Sequence, residues 1–131
     1  MFTSVAIRDF MTSNLFTFSP DLDITDAIHL LLEKGISGAP VVDKRGNIIG
    51  MLSERDCIKV ALSAGYYSQR GGKVAEFMSR EVKTVDVNAS LLDVARMFLE
   101  APFKRYPVMR DNLLVGQISR SDILRALEKL A

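Results

Sequence analysis

Two short stretches carry the residue types from which a binding site can be built: Gly50-Met51-Leu52-Ser53-Glu54-Arg55-Asp56 and Gly116-Gln117-Ile118-Ser119-Arg120-Ser121-Asp122. Each reads as a glycine, the end of a strand, and Ser-x-x-Asp opening a helix. The first N–H groups of a helix have no intrahelical partner and carry partial positive charge, so they suit an anion, and a serine hydroxyl beside them can help hold a phosphate. Three residues on, a carboxylate accepting through both oxygens suits the vicinal hydroxyls of a ribose. The same spacing also fits a capping box, a plain helix start. The chain supplies its own controls, because Asp23-Ile24-Thr25-Asp26 and Ser90-Leu91-Leu92-Asp93 repeat that spacing at two other helix starts.

Catalytic chemistry finds little support. His29 is the only histidine and falls beside Ile28 and Leu30 on an amphipathic helix, as a partly exposed residue. Cys57 follows Asp56 at a helix start, where a thiolate is in principle favoured, yet no histidine lies in a motif that could serve it as base, which leaves a buried structural thiol. No metal ligands occur at zinc spacing and no Walker-type glycine loop is present. Met11, Met51, Met78, Met97 and Met109 stand at apolar positions, as core residues do.

These stretches are positioned by an internal duplication. Arg8-Asp9-Phe10-Met11-Thr12 matches Ala75-Glu76-Phe77-Met78-Ser79 at an offset of 67, Asp23 to Leu32 matches Ser90 to Leu99, and Pro40-Val41 matches Pro107-Val108. From Gly116 onward the offset is 66, so one residue is lost in the second hairpin. The motifs are expected over residues 1–64 and 74–131, joined by a link over 65–73. In that region Gly65, Ser68-Gln69 and Gly71-Gly72 read as flexible, and Tyr66-Tyr67 either covers the module or projects into a partner.

In the first copy, Leu15 to Phe18 suits a short buried strand. Asp23 caps a helix whose apolar face is Ile24, Ala27, Ile28, Leu31 and Leu32, and Gly35 ends it. Pro40 to Asp43 and Asn47 to Leu52 form a hairpin about Lys44-Arg45-Gly46, and Ser53 opens the last helix. The second copy repeats the pattern: Ser90 caps a helix burying Leu91, Val94, Ala95, Phe98 and Leu99, and Pro102 stands in place of Gly35. Asp111-Asn112 turns the hairpin, and Ile123, Leu124, Leu127 and Leu130 line the last helix. The fold class is therefore α/β, two β-α-β-β-α repeats packed sheet to sheet about a pseudo-twofold axis. A three-stranded sheet with both helices on one side leaves an apolar face that the other copy is expected to close.

Composition narrows the function classes. The 131 residues are 48% hydrophobic, enough for a buried interior. Seventeen basic against sixteen acidic side chains, both signs interspersed, give a net charge of +1 and no basic face for nucleic acid. No apolar run approaches the roughly 20 residues that span a bilayer, and Met1-Phe2-Thr3-Ser4 lacks the features of a secretory signal. With a lone cysteine, a cytoplasmic location and no membrane partner are expected.

Ile36-Ser37-Gly38-Ala39-Pro40-Val41-Val42-Asp43, followed by Gly-x-x-Ser-x-x-Asp and repeated once, resembles the CBS domain, the module named after cystathionine β-synthase. The likeness covers about Ala6 to Leu130, as a tandem pair. It implies a regulatory module binding an adenosine-containing ligand such as AMP, ADP, ATP or S-adenosylmethionine, with no required cofactor. Magnesium would come only with such a ligand. It further implies a homodimer and a separate effector protein that responds to shape. By residue, it implies one composite cleft with Ile36, Ser37 and Gly38 against the adenine, Asp122 on the ribose and Ser119 and Ser121 near phosphate. The other cleft would use Phe103, Lys104 and Arg105 with Asp56 and Ser53, and Thr12 and Phe16 complete the contact set. Lys104-Arg105 replaces Ser37-Gly38, so a polyphosphate is expected to prefer the second cleft and a monophosphate the first. The alternative is a structural dimerisation module with no nucleotide. Carboxylates of Asp56 and Asp122 folded back on their own backbones, with no groove beside them, would end the nucleotide reading.

Overall fold

The computed structural model describes residues 2–62 and 72–131, and Tyr66-Tyr67 lies outside the described residues. Asp23 accepts a hydrogen bond from the Thr25 N–H at 2.9 Å and opens α1 (Ile24–Lys34), which Gly35 ends at φ 62°, the left-handed conformation open to glycine. β1 (Gly38–Val42) then pairs antiparallel with β2 (Ile48–Ser53). The Asp43 carboxylate shapes their hairpin by accepting from the Arg45 and Asn47 N–H groups, each at 2.9 Å. α2 (Glu54–Ile58) runs into a 3-10 turn over Lys59–Leu62, and α3 (Val74–Phe77) leads to the second repeat.

There, β3 (Val85–Asp86) precedes α4 (Leu91–Glu100), β4 (Arg105–Arg110), β5 (Leu113–Ser119) and α5 (Arg120–Leu130). β3 pairs parallel with β4, and β4 antiparallel with β5. In the first repeat the strand expected over Leu15 to Phe18 shrinks to one bridge, Phe18 to Val41, because the chain already turns at Pro20, which has no N–H to donate. The architecture is mixed α/β with two sheets.

Two compact units emerge: a contiguous one, Phe16–Val82, and a split one, Met1–Leu15 with Lys83–Ala131. Their boundaries cut across the repeats because the lead segments are exchanged. Ala6 and Thr12 of the first repeat bridge to Ser90 and Gln117 of the second, whereas Lys73 and Ser79 bridge to Asp23 and Met51 of the first. The four bridges fall at matched positions, so the duplication persists in the hydrogen bonding while each sheet takes its edge from the other repeat's sequence. Thr12 and Gln117 exchange both backbone bonds, at 2.8 and 2.9 Å, which closes the exposed edge of β5.

Each unit has its own buried cluster. Ile7 joins Leu91, Val94, Tyr106, Val108 and Ile118 in the split unit, and Val74, Phe77 and Met78 join Phe18, Ile24, Val41 and Leu52 in the contiguous one. The lead segments thus help close each core.

Four apolar positions assigned to the interior are instead exposed: Leu32, Leu99, Leu124 and Leu127. Leu32 and Leu99 occupy the same place in the two repeats, about 100° around the helix from the buried Leu31 and Phe98, beyond the edge of a stripe centred on the earlier residues. Pro102 ends α4 differently from Gly35: Ala101 before it is extended, at φ −137° and ψ 151°, as a residue preceding proline prefers. Of the core methionines only Met78 is fully buried, and the other four are half-buried.

Candidate functional site

Both Ser-x-x-Asp motifs fold as reciprocal capping boxes. Asp56 Oδ2 accepts from the Ser53 N–H and hydroxyl, each at 3.0 Å, and the Asp56 N–H donates back to Ser53 Oγ at 3.2 Å. Asp122 and Ser119 repeat this at 2.9, 3.1 and 3.3 Å. Each aspartate's other oxygen, Oδ1, pairs with the cation one turn on, Lys59 at 3.0 Å and Arg125 respectively. Both carboxylates are buried, while Lys59 and Arg125 are mostly exposed. They do turn back on their own helix starts, and one oxygen of each is committed to the cap.

The internal controls behave differently. Ser90 Oγ accepts from the Asp93 N–H at 3.1 Å, but the Asp93 side chain is 69% exposed and reaches Arg96 instead of the cap. Asp23 caps on Thr25, with no part played by Asp26. The two motifs are therefore set apart by burial of the aspartate and by reciprocity, which spacing alone does not encode.

The strand-start segments join the motifs within each unit. The Glu54 N–H donates to the Ser37 carbonyl at 2.9 Å, and the Arg120 N–H donates to the Lys104 carbonyl at 3.3 Å. Gly38 stands opposite Ser53 and Arg105 opposite Ser119. The structure thus brings Ser37, Gly38, Ser53 and Asp56 together in the contiguous unit, beside Ile36, and Lys104, Arg105, Ser119 and Asp122 together in the split unit. The pairings implied by the resemblance, Ser37 with Asp122 and Lys104 with Asp56, take one residue from each unit. Two of the first N–H groups at each helix start already have acceptors, and the hydroxyl hydrogens of Ser53 and Ser119 are spent on the aspartates. Ser121, one position before Asp122, is exposed.

Phe16 packs edge-on against Phe18 at 4.9 Å, with the Lys34 ammonium 4.8 Å above its ring, so a cation covers one face of the aromatic. Phe103 is half-exposed, edge-on to the buried Tyr106 at 5.8 Å. Thr12 is exposed, with its backbone against Gln117. Its counterpart at the offset of 67, Ser79, stands against Met51 in the same way and exchanges both backbone bonds with it at 2.9 Å.

The motif glycines have a packing reason. A Cβ on Gly116 would lie 2.6 Å from the Thr12 carbonyl oxygen, and one on Gly50 would lie 2.9 Å from the Ser79 carbonyl oxygen and 2.6 Å from the Met78 sulfur. Each glycine lets a lead segment approach its sheet. Burial pushes the Cys57 thiol up to about 11, helped by the neighbouring Asp56 and Glu54 charges, so it is a neutral thiol at physiological pH. A shallow cavity of about 530 Å³, lined by Thr17 to Asp21 and Val42 to Lys44, sits at the far end of β1 from Gly38 and includes none of the expected site residues.

Comparison with known proteins places this geometry. The family model described as the CBS domain matches residues 7–63 and again residues 74–129. YhcV, a CBS domain-containing protein of Bacillus subtilis, is 30% identical over 118 residues, covering 90% of this chain and 82% of that one. MJ1225 of Methanocaldococcus jannaschii is 31% identical over 121 residues, 92% of this chain, and the chain spans only 42% of its length. The chain likewise spans 62% of the chloroplastic CBSX2 of Arabidopsis thaliana, at 29% identity over 148 residues and 92% of this chain. The crystal structure of CBSX2 in complex with AMP matches at a TM-score of 0.85 and 31% identity, over 96% of this chain and 98% of that one.

Proposed function

The chain belongs to the CBS-domain family as a tandem pair of motifs, and from that premise we propose that it is a regulatory module binding an adenosine phosphate at its two Ser-x-x-Asp helix starts. The observation that carries the reading is the contrast among the four aspartates. Only Asp56 and Asp122 are buried in reciprocal caps, each presenting Oδ1 to an exposed cation that a ligand can displace. Ribose hydroxyls would take the place of Lys59 or Arg125 there, while Oδ2 keeps the helix capped. The AMP bound by CBSX2 supports the ligand class. Ile36, Ser37, Gly38, Phe103, Lys104, Arg105, Ser119, Ser121 and Ser53 supply base and phosphate contacts, with Thr12 and Phe16 at the lead segments.

The module works in the cytoplasm as a homodimer, and its ligand shifts packing that a separate effector protein reads, because a ligand moves an equilibrium only by its difference in affinity for two states. The exposed pairs Leu32 with Leu99 and Ile58 with Leu124, at matched positions on the two units, are available to a second copy. Magnesium enters only with a polyphosphate. A ligand of some two dozen heavy atoms at about −0.3 kcal/mol each reaches roughly −7 kcal/mol, a Kd on the order of 10 µM, suited to sensing.

Thermal shift with AMP, ADP, ATP, S-adenosylmethionine and NADH tests this. A binder at a hundredfold excess over Kd gains about 2.7 kcal/mol, worth several degrees. No shift with any of them favours a structural dimerisation module, a reading to which the capping boxes alone also answer.

A further inference from the structure

The duplication allows the two sheets to be compared rung by rung. In the split unit the Val87 N–H donates to the Met109 carbonyl at 2.9 Å, which carries the parallel ladder past the end of β3. In the contiguous unit the ladder begins in the matching place: the Phe18 N–H donates to the Pro40 carbonyl at 2.9 Å, and the Phe18 carbonyl accepts from the Val42 N–H at 3.0 Å. The next donor would be the counterpart of Val87 at the offset of 67, and there the chain carries Pro20, which has no N–H. The Val42 carbonyl therefore lacks the bond that the Met109 carbonyl has, and a backbone carbonyl is a strong acceptor that seeks a donor. The cavity of about 530 Å³ lies at this rung, with Phe18, Pro20 and Val42 in its wall.

The charged groups of that wall differ in what they have left to offer. Asp43 is committed to the hairpin, where its carboxylate accepts from the Arg45 and Asn47 N–H groups. Asp21 gives its carbonyl to the Lys73 ammonium at 3.2 Å, while its exposed carboxylate has no hydrogen bond or ion pair among the described residues. Lys44 is exposed and likewise outside every ion pair among the described residues. A free carbonyl and a free carboxylate together suit an ammonium group, and a free ammonium suits a carboxylate. Half-buried Pro20 and Val42 add apolar surface, and the volume falls within the roughly 300–1,000 Å³ usual for small-molecule sites. The split unit lacks this set: Val87 supplies the N–H that Pro20 cannot, and neutral Asn88 stands in place of Asp21.

We infer that this cavity is a second ligand site, for a free α-amino acid with an aliphatic side chain. The ammonium group lies on the Val42 carbonyl and the Asp21 carboxylate, the carboxylate on Lys44, and the side chain against Pro20 and Val42. None of these residues belongs to the expected adenosine contacts, so the site does not depend on that reading.

Amide-resolved NMR titration of the isotope-labelled full chain with L-leucine tests this. Saturable shifts should centre on the amides of Ser19, Asp21, Asp43 and Lys44. Three analogues each lack one part: glycine the side chain, isoamylamine the carboxylate and isocaproate the ammonium. Each should bind about tenfold or more weakly than leucine. Asp21→Asn, which installs the residue of the other repeat, and Lys44→Gln should each weaken leucine by about tenfold. Pro20→Val, which returns the missing N–H to the Val42 carbonyl, should abolish leucine binding, while AMP binding in all three variants stays within about twofold of the natural chain. Asp21 and Lys44 are exposed, so their variants should melt as the natural chain does; should Pro20→Val fail to fold, those two carry the comparison. No saturable shift with L-leucine at millimolar concentration, shifts centred away from the cavity, or a leucine affinity unmoved by Asp21→Asn and Lys44→Gln overturns the inference. An analogue bound as tightly as leucine overturns the assignment to an aliphatic amino acid. AMP binding, read in the same samples, stands or falls separately.

Discussion

Asp122 and Asp56 do two jobs, and the jobs can be pulled apart. Removing the Asp122 side chain deletes a buried carboxylate and with it a reciprocal cap, so Asp122→Ala should cost about 1–2 kcal/mol in urea denaturation and also abolish ribose recognition at its site. Asp93→Ala, at an exposed side chain outside its cap, should cost no more than about 0.5 kcal/mol and leave AMP binding alone. Equal effects from both would remove the special role of the buried pair. Spacing made both motifs legible as caps, but what separates Asp122 from Asp93 is burial, which depends on residues far away in sequence.

Two further carboxylates and the thiol set the pH response. Backbone N–H groups at Thr25 and at Asn47 and Arg45 hold Asp23 and Asp43 below the ordinary value of 3.8. A carboxyl depressed by folding contributes stability that is complete above its unfolded pKa and lost as pH falls through the folded one. The urea midpoint should therefore hold steady down to about pH 5 and drop below about pH 4, and Asp43→Asn should flatten part of that drop. Cys57 runs the other way: raised from 9.0 to about 11, it contributes stability present below pH 9 and lost as pH rises through 11. Its reaction with a disulfide reagent at pH 8 should be slow in the folded chain and fast in urea; equal rates would show an accessible thiolate.

At the scale of elements, Gly50 and Gly116 explain why each motif opens with glycine. A methyl group at Gly116 meets the Thr12 carbonyl, which is backbone and cannot swing aside, so Gly116→Ala should destabilise by about 1–3 kcal/mol. Unchanged stability by thermal melting would mean that the lead segment does not press on β5 as described. Helix starts, the Gly35 stop, both hairpins and their order were legible from local pattern, since each follows from neighbours within a few residues. Which repeat a lead segment packs against was not, because the match between Thr12 and Ser79 is the same whether the segments stay at home or change places. The stripe edges at Leu32 and Leu99 were misread for a related reason: a helical pattern gives a direction for the buried face but not its width.

For the whole molecule, the exchange sets where the chain can be cut. The fragment Phe16–Val82 keeps a complete buried cluster with its own edge segment, whereas residues 1–64 lack Val74, Phe77 and Met78. The former should unfold cooperatively in urea and the latter should not; the opposite order would place the folding units along the repeats. The family and the two-sheet α/β architecture followed from the duplication and the proline strand, and the charge contrast was legible as Lys104-Arg105 against Ser37-Gly38, whereas the backbone hydrogen bond that ties each strand start to its own helix start was not.

The most direct measurement is a crystal structure of the full chain grown with AMP. The account predicts the ribose hydroxyls on Oδ1 of Asp56 or Asp122, with Lys59 or Arg125 turned away and the cap on Oδ2 intact. AMP bound elsewhere, with both aspartates still held by Lys59 and Arg125, would contradict it.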